Sequence, residues 1–260
     1  MEPHGCHTRS PSLTLQHELA ARQPAKFATE ASSSWKTIEF PTFFHIIHSG
    51  PNGKVPESKV DQQLALLNAA FNDARIVFVK AGFEYVDNDA WFGLDLGSSQ
   101  EHEAKLKLCR DPDKSLNFYI ADLQRSPPGA NGYARQPWEF EEAPQMDGIV
   151  VHYAWLPGAP RPFNRGGVAI HETGHWVGLH HTFENGCNPP GDGVDDTPYQ
   201  AFASNRDCVV RCSCPPDPGP DPIDNFMDYS SDDCRQRFTP GQFWRIREVV
   251  LPRYRPWLFK

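Results

Sequence analysis

The spacing of apolar residues predicts an amphipathic helix in residues 56–73, where hydrophobic side chains recur every three or four positions. These side chains are Val60, Leu64, Leu67 and Phe71. Two further helices are predicted in residues 13–22 and in the charged segment 100–109. A last helix is predicted after Thr239, which can cap it, and it should run to Val250.

Strands are predicted where apolar and aromatic residues are continuous or alternate with polar ones. Four segments meet this description: residues 38–48, 76–86, 116–123 and 148–153. Pro41 should interrupt the first of them, because proline has no N–H for a sheet ladder. His45 and His48 in this strand are expected to be structural.

The pattern changes after residue 181, because residues 184–233 are rich in Gly, Pro, Asp and Cys and show little periodicity. A lobe without a continuous apolar core needs cross-links. We therefore predict an α+β fold, with a twisted mixed sheet and helices in residues 35–181. An irregular, disulfide-stapled lobe follows in residues 182–260. Residues 1–34 are expected to be an N-terminal arm or the remnant of a pro-segment.

Composition narrows the classes of partner. The 260 residues suit one large domain or two lobes around a cleft, and the net charge of −8 argues against a nucleic-acid partner. No run of about eighteen apolar residues is present, so no membrane span is predicted. No apolar signal-peptide segment is visible in residues 1–34.

Seven cysteines indicate an oxidising compartment. Cys187, Cys208, Cys212 and Cys214 fall within 28 positions, and Cys234 follows. This cluster is typical of disulfides, so we expect a secreted, extracellular protein. In a reducing compartment the same cysteines would form a second zinc site, although their spacing fits neither a zinc ribbon nor a zinc finger.

Residues 171–181 read His-Glu-Thr-Gly-His-Trp-Val-Gly-Leu-His-His. On a helix, His171 and His175 lie on one face, about 5–6 Å apart at Cβ, so two imidazoles can hold one zinc ion. Glu172 between them is placed to act as general base on a zinc-bound water. Gly178 is suited to end the helix and turn the chain, so that His181 can be the third ligand.

Three protein ligands leave a fourth position for water, which is the arrangement of catalytic rather than structural zinc sites. The alternative is a helix with surface or core histidines, which would require five fixed positions to coincide by chance.

These five positions match the metzincin signature H-E-x-x-H-x-x-G-x-x-H. Residues 225–229, Asn-Phe-Met-Asp-Tyr, are similar to the methionine turn of metzincins. The wider segment 221–242 resembles the pappalysin family, in particular its ulilysin-like and fungal extracellular metalloproteases. The resemblance covers about residues 35–260 and departs at His180, where relatives often have Tyr. It implies a zincin-like metzincin fold and peptidase activity.

The resemblance also implies roles for single residues. Met227 would form an apolar floor beneath the zinc ligands, and the Tyr229 hydroxyl would support the tetrahedral intermediate. The alternative for Tyr229 is a core tyrosine. The edge strand Gly132, Tyr133 and Ala134 would bind an extended peptide through its free backbone groups. The disulfides implied are Cys187–Cys214 and Cys208–Cys234.

Two acidic segments carry further expectations. Residues 191–198 form an acidic, tightly turned loop that suits calcium, and relatives bind calcium there. By position the ligands would be Asp192 and the carbonyls of Asp195 and Thr197; the alternative is a solvated turn. Asp233, six residues after Met227, would select Arg or Lys after the scissile bond. The alternative for Asp233 is also a solvated turn residue.

Cys6 has two interpretations. It resembles the cysteine of ulilysin-like pro-segments whose thiolate caps the zinc, although His7 replaces the usual glycine. It could instead form a disulfide with Cys109 or Cys212.

The sequence therefore predicts a secreted zinc metalloendopeptidase that acts on proteins or peptides. Two other classes stay open: a zinc-dependent binding protein without catalysis, and a zinc esterase or deacylase. The intact Glu172 argues against the first.

Overall fold

A computed structural model describes residues 6–22, 34–124, 130–215 and 219–259. The N-terminal arm is described in part, since residues 1–5 and 23–33 of the predicted segment lie outside the described residues. Its helix α1 (Leu13–Ala20) begins where Ser12 caps the first turn by accepting a hydrogen bond from the backbone N–H of Leu15.

A mixed five-stranded sheet confirms the predicted α+β class. Its strands are β1 (Ile38–His48), β2 (Ile76–Asp87), β3 (Leu116–Ala121), β4 (Gly132–Ala134) and β5 (Ile149–His152). They lie in the order β2-β1-β3-β5-β4. All neighbours are parallel except β4 and β5, which pair antiparallel, so β4 lies at one edge.

The expected break at Pro41 is wrong, because β1 is continuous through this residue. Pro41 pairs with Val79 of β2, and the register shifts just after it, between Thr42 and Phe43. Thr42 is opposite Lys80 and Phe43 is opposite Gly82, so β2 carries one extra residue there. A bulge of this kind accommodates a local irregularity in a ladder without ending the strand.

Four helices accompany the sheet: α2 (Glu57–Phe71), α3 (Asp89–Phe92), α4 (Ser99–Leu108) and α5 (Gly167–Trp176). The buried face of α2 and the fully buried Trp176 of α5 join the main core on the sheet. Trp176 packs edge-on against Phe40 of β1, with ring centroids 4.9 Å apart. This packing fixes α5 against the sheet, and truncating a buried tryptophan of this kind costs about 3–5 kcal/mol.

The chain ends in a helical segment that is less regular than predicted. Helix α6 (Pro240–Trp244) begins with the expected Thr239 cap, a π-helical segment Arg245–Val250 follows, and α7 (Leu251–Tyr254) completes it. The π-helical segment lies just before Pro252. Proline has no N–H, so it cannot donate to the carbonyl of Glu248 as a regular α-helix would require.

Both disulfides are present as predicted, Cys187–Cys214 and Cys208–Cys234. They staple the irregular lobe, which excludes the alternative of a second zinc site built from these cysteines. In the part of the chain that the structure describes, no helix combines the length and apolar character needed to cross a membrane.

Candidate metal centre and active site

Helix α5 carries His171, Glu172 and His175 and is held at its start by the C-terminal lobe. Asp232 Oδ2 accepts hydrogen bonds from the backbone N–H groups of Arg165, at 2.8 Å, and Gly167, at 3.2 Å. A carboxylate at this end satisfies orphan N–H groups and interacts favourably with the helix dipole.

The helix ends at Trp176, and the chain turns at Gly178, whose φ is +99°. The N–H of Gly178 donates to the carbonyl of His175, and the N–H of Leu179 donates to that of Gly174. A β-carbon on Gly178 would lie 2.4 Å from Val250, so both the conformation and the space require glycine. The turn returns His181 to the face that carries the first two histidines.

The three imidazoles converge on one point. His175 Nε2 lies 3.1 Å from His171 Nε2 and 3.0 Å from His181 Nε2. Within the described part of the chain, these histidines and Cys6 form the one group of at least three potential ligands whose donor atoms converge, all within 4.8 Å of one another.

The opposite ring nitrogens fix the orientation of two of these imidazoles. His171 Nδ1 lies 2.7 Å from the carbonyl of Phe226, and His175 Nδ1 lies 2.8 Å from the carbonyl of Leu179. A carbonyl can only accept, so each Nδ1 carries the proton and each Nε2 presents a lone pair. Burial lowers the pKa of His175 to about 4 and lowers the pKa of His171 and His181 as well.

Neutral imidazoles with facing lone pairs repel one another unless a cation lies between them. The donor set of three imidazole nitrogens and one nearby thiol matches the preferences of zinc. Carbonyls behind the imidazoles are the usual partners that orient histidine ligands of a metal. The residues present therefore fit a zinc ion.

Met227 is fully buried beneath the centre of α5. A β-carbon on Gly174 would lie 2.5 Å from Met227 Sδ, so this glycine allows the thioether to approach the helix between the two histidines. Asn225 holds the turn by accepting a hydrogen bond from the N–H of Met227 at 2.9 Å.

Glu172 faces the N-terminal arm. Its Oε2 accepts hydrogen bonds from Cys6 Sγ and from Thr8 Oγ1, each at 3.1 Å. Burial raises the pKa of Glu172 to about 8, although these two hydrogen bonds and the charge of Arg235 favour the ionised form.

The arm runs along the free side of β4. The N–H of His7 donates to the carbonyl of Gly132 at 3.1 Å, and the N–H of Ala134 donates to Thr8 Oγ1 at 2.8 Å. Cys6 and Gly132 form a parallel bridge. The Tyr133 side chain is fully buried on the other side, so the backbone of β4 is what this edge offers to a ligand.

Tyr229 and Cys6 complete the surroundings of the imidazoles. The Tyr229 hydroxyl donates to the carbonyl of Cys6 and lies 3.2 Å from His181 Nε2. Cys6 forms no disulfide within the described residues, and burial raises the pKa of its thiol well above the usual range. The disulfide alternatives with Cys109 and Cys212 are therefore not realised. His180 points away from the three converging imidazoles and stacks on Trp138.

The acidic loop has a buried centre and an exposed rim. Asp192 is 5% exposed and Thr197 is 6% exposed, whereas Asp195 is exposed. The Thr197 side chain faces the Asp192 carboxylate, and within the described residues neither Asp192 Oδ2 nor Thr197 Oγ1 has a hydrogen-bond partner outside this pair. Burial raises the pKa of Asp192 well above its usual range. These unsatisfied oxygens and this desolvated carboxylate fit a bound cation.

A small pocket opens beside Glu172, and Asp233 does not line it. Its lining residues are Cys6, Asn131, Phe163, Val168, His171, Glu172, Ser204, Arg206, Tyr229 and Arg235. Asp233 instead pairs with Arg161 at 2.9 Å and with Arg165 at 3.2 Å.

Several residues around the site escaped the sequence analysis. Gly174 could have been noticed, because an isolated glycine inside a predicted helix often indicates close packing against another part of the chain. Ser204 belongs to no motif, and only the folded chain brings it to the site. Thr8 lies in the element around Cys6, and Asp232 and Arg235 lie in the segment 221–242, but the sequence assigned none of these three a contact at the site.

Comparison with known proteins agrees with this geometry. The profile of the family described as pregnancy-associated plasma protein-A, a peptidase family, matches residues 100–251. An extracellular metalloprotease of Neurospora crassa is 36% identical over 95% of this chain and 87% of its own length. One of Pyricularia oryzae is 38% identical over 89% of this chain and 77% of its own length.

Solved structures agree on the fold. Mature mirolysin of Tannerella forsythia, in complex with a cleaved peptide, has a TM-score of 0.69 at 24% identity and covers 85% of this chain and 96% of its own. A promirolysin variant has a TM-score of 0.73 at 21% identity and covers 93% of this chain and 89% of its own. The chain therefore belongs to the pappalysin family of metzincins, the peptidase family of pregnancy-associated plasma protein-A, and is a metalloprotease.

Proposed function

We propose that the protein is a zinc-dependent endopeptidase with His171, His175 and His181 as metal ligands. The observation that carries this proposal is the convergence of three imidazoles, with His175 Nε2 3.1 Å from His171 Nε2 and 3.0 Å from His181 Nε2. Glu172 follows the first ligand directly in the chain. When bound, zinc would act as a Lewis acid and lower the pKa of a water in the fourth position.

Glu172, Tyr229 and strand β4 supply the other functions that peptide hydrolysis needs. Glu172 accepts a proton from the attacking water and transfers it to the nitrogen of the leaving amine. The Tyr229 hydroxyl lies 3.2 Å from His181 Nε2 in this structure. During catalysis it donates a hydrogen bond to the carbonyl oxygen of the scissile bond, which becomes negatively charged in the tetrahedral intermediate. Gly132 and Ala134 align an extended peptide by backbone hydrogen bonds along β4.

The arm is proposed to keep the enzyme latent. It occupies the backbone groups of β4 that a substrate needs, and Cys6 Sγ lies among the four converging donors. Zinc would favour the thiolate of Cys6, which is a strong ligand and would fill the fourth position. Residues 1–34 would then be a pro-segment that proteolysis removes, ahead of lobes spanning residues 35–181 and 182–260.

Secretion and calcium binding are two further parts of the proposal. Two disulfides and the extracellular naming of the fungal relatives support secretion. The buried unsatisfied oxygens of Asp192 and Thr197 support a structural calcium ion, with the carbonyls of Asp195 and Thr197 as added ligands.

The preference for Arg or Lys after the scissile bond is the most detailed part of the proposal. It rests on the half-buried carboxylate of Asp233, which can grip a guanidinium. In this structure the carboxylate is held by Arg161 and Arg165, so a substrate cation would have to replace these arginines.

Glu172→Gln tests the central proposal. The amide keeps the shape of the side chain but cannot accept a proton, so the variant should keep its zinc and lose turnover of casein by several orders of magnitude. Near-native cleavage by this variant would reject the role of Glu172. Ester and acyl-lysine substrates tested beside casein separate a peptidase from an esterase or deacylase, and a wild type inert on all of them would be a binding protein.

A further inference from the structure

Helix α1 of the arm lies in an apolar groove that is built mainly by the end of the chain. Leu19 is fully buried there and forms a small hydrophobic cluster with two valines. Leu15, one helical turn before Leu19, packs against this cluster together with three aromatic side chains. The residues outside α1 that form this arm groove are Trp138, Trp244, Val249, Val250 and Tyr254.

Two polar contacts fix the register of α1 in the arm groove. Arg253 Nη1 donates to Glu18 Oε1 at 2.7 Å. Asn185 Nδ2 donates to the side-chain carbonyl of the buried Gln16 at 2.5 Å. Because Glu18 is 46% exposed, solvent screens its ion pair with Arg253. The burial of Leu19 therefore contributes most of the binding free energy of α1.

The arm groove is separate from the place where the arm reaches the metal centre. The part of the arm at that centre is the segment 6–8, which contacts Glu172 and the edge strand β4. Helix α1 begins only at Leu13, and no residue of the arm groove is a zinc ligand or belongs to β4. The arm therefore has two attachments, and the peptide chain between them gives each a high effective concentration at its site.

Loss of the arm would uncover the arm groove. With α1 in place, Val250 and Val249 are 0% and 4% exposed, and the three aromatic side chains lie beside them. Soluble proteins rarely leave contiguous apolar surface of this kind open to water, so the groove is expected to keep an occupant. A cut between α1 and β1 breaks one peptide bond, and the contacts of Gln16, Glu18 and Leu19 all lie before it in the chain.

We infer that the arm groove is a helix-binding site and that it retains the arm after the chain is cut. The processed enzyme then stays inhibited until the arm dissociates, so that removal of the pro-segment takes two steps, cleavage and dissociation. The partner that fits the groove is a short amphipathic helix with two leucines four positions apart and an acidic residue directly before the second. The inference rests on the proposed latency, because it assumes that the arm covers the metal centre.

Size-exclusion chromatography of the full-length zinc protein, cut between α1 and β1 by limited proteolysis, tests retention of the arm. We expect the arm to elute with the rest of the chain. Casein cleavage should rise only when the cut protein is diluted, because dilution favours dissociation of the arm. Complete separation of the arm from the cut protein on the column would overturn the inference.

A labelled peptide of residues 6–22 shows which attachment holds the arm. Its Kd for the cut protein, after the arm has been washed away, is measured by fluorescence anisotropy. Leu19→Ala in the peptide should weaken binding at least about 10-fold through lost apolar burial, although alanine is the better helix former. The same factor is expected when the peptide also carries Cys6→Ser, since independent attachments contribute additively. His17→Ala, on the exposed side of α1, is the matched control and should leave Kd unchanged.

An exchange of charges locates the peptide in the arm groove. Arg253→Glu in the protein should weaken binding of the unchanged peptide about 2- to 5-fold, which is the size of an exposed ion pair. Glu18→Arg in the peptide should restore the binding, because the two charges then attract each other again. Neither side chain is fully buried, so the fold should be preserved.

An unchanged Kd for the Leu19→Ala peptide, or no rescue by Glu18→Arg, would overturn the inference, since the segment 6–8 alone would then hold the arm. The binding measurements need no peptidase activity. If the cut protein stays inactive on casein after its arm has been washed away, the proposed peptidase function fails. The elution of the arm and the Kd values then still decide whether the arm groove binds it.

Discussion

Gly132 on the edge strand packs directly on the side chain of Glu172. A β-carbon at residue 132 would lie 2.8 Å from both Cγ and Oε1 of Glu172, closer than real contacts allow. The edge strand and the proton acceptor therefore approach each other to a distance that only glycine permits.

Gly132→Ala should consequently reduce peptide cleavage by at least about 10-fold, because it displaces either the carboxylate or the strand that aligns the substrate. Zinc content should stay at one ion per chain, since the three histidines are untouched. Steady-state kinetics with metal analysis on the same sample provide the measurement. Wild-type kcat/KM in this variant would show that the contact has no catalytic importance.

His181→Ala should remove zinc and activity together. Loss of one of three protein ligands weakens binding of the metal, and Tyr229 loses its neighbour at 3.2 Å. Metal analysis after dialysis against a weak chelator should show less than one zinc per chain. His180→Gln is the matched control, because His180 stacks on Trp138 outside the donor group. Full zinc occupancy in His181→Ala would exclude the third-ligand role.

Tyr229→Phe should lower kcat by roughly 10- to 1000-fold with a smaller change in KM, as expected for loss of one donor to the developing charge. The ring contacts of Tyr229 with His171, His181 and Phe183 remain, so the thermal unfolding temperature should change little. A large fall in stability with normal turnover would identify Tyr229 as a core residue instead.

Cys6→Ser should release the full-length chain from latency. Serine is a much weaker zinc ligand than a thiolate, so the unprocessed variant should be at least about 10-fold more active than unprocessed wild type. His17→Ala on the exposed side of α1 serves as the control in the same arm. Equal activities of unprocessed wild type and Cys6→Ser would show that Cys6 does not block the centre.

Calcium should stabilise the fold through Asp192. Its folded-state pKa lies above its unfolded value, so without calcium the free energy of unfolding falls as pH rises above the ordinary aspartate range. Calcium should offset this loss at neutral pH and raise the melting temperature by a few degrees, with zinc held constant.

Asp192→Asn should abolish that response to calcium and flatten the pH dependence, because the amide does not titrate. Overlapping melting curves of wild type with and without calcium would show that the loop is a plain turn.

The sequence was most informative where one motif fixes several residues of one helix. His171, His175 and Gly178 lie within eight positions, so helical geometry and a glycine turn define their relative placement. The disulfide pairs also matched the family pattern. In contrast, the π-helical segment after Trp244 follows from local hydrogen bonding that periodicity does not reveal.

The rest of the site depends on contacts between distant parts of the chain. Thr8 reaches Glu172 across 164 positions, and Asp232 reaches Gly167 across 65. No spacing rule links such residues. Ser204 lies in a segment with little periodicity and Arg235 lies just after it, and composition alone does not indicate that both are buried beside Glu172.

The cap that Asp232 places on α5 has a consequence for biosynthesis. The chain is made from its N terminus, so the helix with two of the histidines leaves the ribosome well before residues 226 and 232. Until then, Gly167 lacks its acceptor and His171 lacks the carbonyl that orients its ring. His175 has its orienting carbonyl nearby, at Leu179, whereas His171 depends on residue 226. The two ligands on one helix therefore reach their final orientation at different stages of chain synthesis.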